Sequence, residues 1–246
     1  MAAGCIAGHD VLERYVFPGS PRKNHDAGRP DLVLRVDRVA EQFVLSVDGT
    51  VAASARRAIS LVPALVRALD EAVIQRLTEL RAVHAGAVVL GGRALLLPGA
   101  THAGKSTLVA ELLREGATYL SDEYALIDSE GRVHPYPRPL LLRNGSPEQH
   151  PVLPAECHVP VGHAPVPIGW IVSLEYEPGG EWSVAEVPQS EGLLALLRNT
   201  PHVLADSPDM VSAFQRAVMG ATCYAGRRAD ATHAVSQILR LVGSQS

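Results

Sequence analysis

From Asp31 apolar and polar positions alternate, with Leu32, Leu34 and Val36, then Phe43, Leu45 and Val47, ending at Asp48-Gly49. A period of two predicts a strand pair closing on a D-G turn. Between Ser60 and Arg81 the period lengthens. Leu61, Leu65, Leu69, Val73, Leu77 and Leu80 recur at helical spacing, while Arg67, Asp70, Glu71, Arg76 and Glu79 take the other side. That pattern predicts an amphipathic helix. Ala87–Leu90 and Ala94–Leu97 are short, nearly continuous apolar runs joined by Gly91-Gly92, and read as buried strands. His84 precedes them in Val83-His84-Ala85-Gly86, and Ser106–Glu115 has helical spacing stopped by Gly116. Tyr119-Leu120 and Ala125–Ile127 are further strands flanking Ser121-Asp122-Glu123. Half of the 18 prolines fall within 135–168, which predicts a loop-rich excursion with a short strand at Leu140–Leu142. Trp170–Tyr176 and Trp182–Val187 resemble a strand pair around Pro178-Gly179-Gly180. Glu191–Arg198, Met210–Met219 and Thr232–Val242 have helical spacing, and residues 1–30 are a turn-rich lead-in.

One segment carries specific chemistry. Gly99-Ala100-Thr101-His102-Ala103-Gly104-Lys105-Ser106 satisfies G-x-x-x-x-G-K-[ST], with a buried strand before it and an amphipathic helix after it. The glycines let successive backbone N–H groups turn inward as an anion nest, and the helix adds its positive N-terminal end. Lys105 reaches the β- and γ-phosphates, and the Ser106 hydroxyl is a ligand for Mg2+. Only Lys23 and Lys105 of the 22 Lys and Arg residues are lysines, so Lys105 stands where a flexible point charge serves best. The segment Gly99–Thr107 is therefore read as a nucleoside-triphosphate site. Downstream, Asp122 and Glu123 follow a strand whose C-terminal end faces the ligand edge of an open α/β sheet. Adjacent carboxylates can divide metal binding from proton acceptance.

The loop, together with His84-Ala85-Gly86, Gly116 and Leu120-Ser121-Asp122-Glu123, resembles the bacterial HPr kinase/phosphorylase catalytic domain and its HPr-kinase-like relatives. The resemblance is clear from about Val83 to Ile127. It implies that Asp122 is the general base toward a substrate serine, that Glu123 lies nearer Mg2+, and that His84 stands beside the active site. Thr107 departs from the family, which usually has Glu there, and Glu123 replaces Asp. The basic phosphorylase loop has no recognisable counterpart, so what the resemblance implies does not extend to phosphorolysis or to HPr as substrate. His134–Leu140 with Arg143, and the β-rich stretch before the helix, are similar to shorter HPr-kinase-like proteins. Some of those phosphorylate a serine on a lasso-peptide precursor.

The expected fold is α/β: a mixed or largely parallel P-loop sheet flanked by helices, with a small N-terminal β-rich segment. Residues 1–80 form that segment plus its helix, and 81–246 form the catalytic domain. The expected function is an ATP- and Mg2+-dependent kinase acting on a serine hydroxyl of a peptide or small protein. The alternatives are a kinase of a free small molecule such as an amino acid, and a nucleotide-binding regulatory module without transfer activity. Arg138 and Arg143 fit either phosphate neutralisation or surface ion pairs, and Arg198, Arg227 and Arg228 are equally ambiguous.

Composition narrows the classes. Hydrophobic residues are 47% and charged residues 20%, enough for a core, and the formal charge of −4 opposes general nucleic-acid binding. Apolar runs are too short to span a membrane, no secretory signal is evident, and Cys5, Cys157 and Cys223 form no C-x-x-C. A reduced, cytoplasmic protein is expected, with homo-oligomerisation left open.

Overall fold

A computed structural model describes residues 15, 32–100, 103–143, 145, 148–201 and 209–243. The chain divides into two compact units, Met1–Arg76 with Arg138–Leu153, and Leu77–Pro137 with Pro154–Ser246. The segment Arg138–Leu153, inside the span expected as one catalytic domain, thus belongs with the N-terminal residues.

In the first unit, strands β1 (Leu34–Val39), β2 (Gln42–Val47) and β3 (Thr50–Ala55) form an antiparallel meander. The expected strand pair is present, but Ala40-Glu41 closes it. Asp48-Gly49 leads instead into β3, whose alanine-rich sequence has no alternation to announce it. Leu45 packs against Leu61 and Leu65, with Val36, Phe43, Val47 and Leu69 around them. Leu65 and Leu69 lie on helix α1 (Val62–Ile74), which begins with Pro63 in its first turn. The helix ends seven residues before Arg81, the expected limit, because Arg81 already pairs with Ile127 as the first residue of a strand. The Pro-rich excursion contains a second antiparallel pair, β9 (Leu140–Leu142) and β10 (His150–Val152), of which only the first was foreseen. Arg138 is not on the surface. Its guanidinium lies 2.9 Å from Asp70 of α1, with side chains 10% and 4% exposed.

The second unit is built on a mixed sheet: β4 (Arg81–Leu90), β5 (Arg93–Pro98), β6 (Thr118–Ser121), β7 (Tyr124–Ile127), β8 (Arg132–His134), β11 (Val166–Tyr176), β12 (Ser183–Val187) and β13 (Thr222–Arg228). The order is β12-β13-β11-β5-β4-β7-β8, with β6 also on β4. Only the β5–β11 and β11–β13 pairings are parallel. Because β8 also pairs with the start of β11, five strands close a circle. Gly91 and Gly92 make the β4–β5 turn with φ of +53° and +78°, which glycine alone adopts without strain. The expected pairing of β11 with β12 does not form. The unforeseen β13 lies between them, and a Cβ at Gly226 would stand 1.9 Å from the Ser183 carbonyl of β12.

Helices α2 (Lys105–Arg114), α3 (Gln189–Arg198), α4 (Met210–Met219) and α5 (Ala231–Gly243) complete the unit. Strand alternation sorts them. Val83, Ala85 and Ala87 of β4 join Leu96, Ile171, Leu196 of α3 and Phe214 of α4 in one buried cluster. Gly86 points the other way, where a Cβ would meet Val109 of α2 at 2.7 Å. Helix α5 packs on α2. His84 shares the Gly86 side of the strand, and so faces the glycine-rich loop's helix. Among the described residues no helix is long and apolar enough to cross a membrane.

The buried ion pair generates a stability test. Arg138→Met takes its guanidinium partner from the buried Asp70 carboxylate and should destabilise the first unit by about 3–5 kcal/mol, whereas adding Asp70→Leu should recover most of the loss. Urea unfolding of both variants checks this, and a neutral Arg138→Met would show the pair to be dispensable.

Candidate functional site

Strand β4 brings three separate segments together. Its Ala85 pairs with Pro98, and the Gly99 N–H donates to the His84 carbonyl at 3.3 Å, so the loop starts directly opposite His84. On the other edge β6 pairs through Ala87↔Ser121 and β7 through His84↔Tyr124. Asp122 and Glu123 therefore occupy the link between β6 and β7. The Ala85 N–H donates to the Glu123 carbonyl at 3.1 Å and fixes that link against the strand. His84 thus lies inside β4, not ahead of the strand.

At the centre is the Lys105 amine, on the first residue of α2. It donates to the carbonyls of Gly99 and Ala100, both at 3.0 Å, and stands 3.5 Å from both His84 ring nitrogens. His84 Nε2 lies 2.8 Å from Glu123 Oε1, and its ring leans on Tyr124 at 5.5 Å between centroids. Lys105 is 7% exposed. Burial pushes its amine below the usual lysine range, and the charges of Glu123 and Asp122 offset only part of that. The two carboxylates differ. Asp122 is 4% exposed and accepts a hydrogen bond from the buried Tyr119 hydroxyl at 3.4 Å, whereas the Glu123 side chain is 41% exposed.

The structure therefore gathers His84, Gly99, Ala100, Ala103, Gly104, Lys105, Asp122 and Glu123. Ser106 is half-buried and Thr107 exposed in the first turn of α2, while Thr101 and His102 lie outside the described residues. Arg138 belongs to the buried pair of the first unit, and Arg143 is exposed there. Arg228 was not separated from the other arginines by sequence. It is 3% exposed and donates to the carbonyls of Ala103 at 2.9 Å and Gly104 at 3.3 Å. Sequence offered no signal for this, since 125 positions separate Arg228 from Ala103. Beside the loop opens a cleft of about 900 Å³, lined by Gly99, Ser173, Glu175, Glu191, Arg198 and Tyr224. It lies beyond the C-terminal ends of β5, β11 and β13, where open α/β sheets hold their ligands.

No family model matches the chain, and no curated protein matches it. Solved structures do. The HPr(Ser) kinase/phosphatase from Coxiella burnetii is similar over 67% of this chain and 95% of that chain, with 14% identity and a TM-score of 0.36. The chemistry of the site accordingly rests on its own geometry.

The burial of Lys105 has a consequence for stability. A depressed amine releases its proton at lower pH in the folded chain than in the unfolded one, so between those values unfolding takes up a proton and stability rises with pH. Relative to Lys105→Met, the wild-type chain should gain unfolding free energy as the pH rises toward the ordinary lysine titration near pH 10.4. Urea unfolding at stepped pH measures it. A flat difference would mean that the ammonium is well solvated.

Proposed function

We propose that the chain is an ATP- and Mg2+-dependent kinase that transfers the γ-phosphate to a serine hydroxyl of a peptide or small protein, with a lasso-peptide precursor among the candidate substrates. The observation that carries this reading is the meeting of Lys105, His84 and the Asp122-Glu123 pair at the mouth of the glycine-rich loop. A binding module needs the cation and the loop amides. It has no use for two carboxylates and a histidine beside them.

The donor set fits the nucleotide and its metal. Loop N–H groups and Lys105 offer positive charge to phosphates, and the Ser106 hydroxyl and the Glu123 carboxylate are hard oxygen ligands of the kind Mg2+ takes. When bound, Mg2+ would neutralise charge on the transferring phosphate. Lys105 would exchange its bonds to the Gly99 and Ala100 carbonyls for phosphate oxygens. Asp122, whose charge acts on the Lys105 amine, takes the proton of the acceptor hydroxyl, and His84 orients Glu123 through their 2.8 Å contact. Transfer then depends on positioning and electrostatics.

A second reading, a kinase of a free small molecule such as an amino acid, is favoured by the cleft beside Gly99, whose volume of about 900 Å³ suits a compact ligand. Incubation with MgATP and either serine-bearing peptides or free amino acids, read by mass spectrometry, separates the two. Phosphate on peptides alone supports the first reading, and phosphate on free amino acids alone supports the second. Nucleotide binding with no transfer to either would return the chain to a regulatory role.

The residue roles have their own test. Asp122→Asn should keep ATP affinity within a few-fold and lower transfer by about 10²–10⁴. Glu123→Gln should raise the Mg2+ concentration needed as well as slow transfer, because a metal ligand acts before chemistry. Near-wild-type transfer by Asp122→Asn would remove it as the base and leave the His84–Glu123 pair.

A further inference from the structure

Arg228, the last residue of β13, presents an electrostatic problem that the fold does not solve by itself. Its guanidinium is 3% exposed, and its bonded partners are neutral: the carbonyls of Ala103, Gly104 and Ala229, at 2.9, 3.3 and 3.0 Å, and the Tyr176 ring at 5.0 Å, while the charge of Asp230 acts on it without forming an ion pair. Among the described residues no carboxylate comes within ion-pair distance, and Nε is buried without a hydrogen-bond partner. The charge also sits against the N-terminus of α2, whose positive end repels it. Lys105 adds a second buried cation to the same turn. Desolvating a cation in such surroundings is costly unless an anion completes them.

The bonds themselves say what the residue does. In a planar peptide the carbonyl and the following N–H point in opposite directions. Nη2 draws the Ala103 and Gly104 carbonyls toward itself, so the N–H groups of Gly104 and Lys105 turn away from it. Gly104 has φ +76°, and a Cβ there would lie 2.2 Å from Nη2. Its two demands, left-handed backbone and a missing side chain, are both met only by glycine. We propose that Arg228 is a positioning residue of the glycine-rich loop: it clamps the Ala103 and Gly104 carbonyls, aims two successive amides at the phosphates, and adds a buried positive charge behind those amides that attracts a bound phosphate chain. The proposal rests on the reading of Gly99–Ser106 as a phosphate site.

Inorganic pyrophosphate, which carries phosphates and no base or ribose, is the probe. Calorimetric titration compares wild type with Arg228→Met and Arg228→Lys, and urea unfolding without ligand is measured for each. Arg228→Met removes a buried charge that has no ion-pair partner among the described residues while filling its space, so its unfolding midpoint should hold or rise. Its pyrophosphate affinity should nevertheless fall about tenfold or more, the worth of hydrogen bonds that involve a charged group. Arg228→Lys keeps the charge without the planar fork and should recover part of the affinity. Wild-type affinity in Arg228→Met overturns the proposal alone, as does a loss in both variants that merely tracks lost stability. Should Arg228→Met fail to fold, Arg228→Lys decides: affinity equal to wild type with no change in the loop amide resonances of Gly104 and Lys105 overturns the clamp. A wild-type chain that binds neither pyrophosphate nor ATP overturns the phosphate-site reading together with the clamp.

Discussion

A lysine ammonium withdrawn from water must be surrounded by oxygen, and the second unit is organised around meeting that requirement for Lys105. Its amine finds the Gly99 and Ala100 carbonyls at 3.0 Å, and the charges of Asp122 and Glu123 act on it from across β4. These groups come from three stretches of chain that no local preference would assemble. Strand β4 assembles them, through the pairing of Ala85 with Pro98 on one edge and of His84 with Tyr124 on the other. A one-residue slip in that register would turn His84 into the Val83–Ala87 core side and bring an apolar residue to the site.

The same arrangement leaves the cost of burying the amine only partly offset. Its oxygen partners are mostly carbonyls, which stabilise a cation less than a phosphate would, and burial still holds the amine below its usual range. Arg228 adds a second cation, bonded to carbonyls and facing a ring. Positive charge accumulates at the loop, while the Glu123 carboxylate, held by His84, is half-exposed beside it. This polarity suits an anion that carries a metal, and it suits acceptor chemistry at the exposed carboxylate edge.

How much of this was legible depended on how local its causes are. The strand, glycine-rich loop and helix from Ala94 to Glu115 follow from contiguous sequence, and β5, α2 and the Gly91-Gly92 turn formed as the pattern predicts. The acid pair was found for the same reason, since it ends a recognisable strand. Non-local pairing hid the rest. Thr222–Arg228 contains Gly226 and two arginines and reads poorly as a strand, yet it separates β11 from β12 and carries Arg228 to the loop. Arg138 was indistinguishable from a surface arginine until the chain's return to α1 put it against Asp70. Helix periodicity ran on past Ile74 because Leu77 and Leu80 keep the spacing, while sheet pairing at Arg81 claimed the chain.

Whether the loop around Lys105 binds a triphosphate decides the role of every group gathered on β4. Titration calorimetry of the whole chain with a non-hydrolysable ATP analogue and Mg2+, beside Lys105→Ala at the same unfolding midpoint, measures it. Saturable binding with one analogue per chain is expected, lost or reduced by at least about tenfold in Lys105→Ala. Equal affinity of the two proteins, or no binding by the wild type, would contradict it.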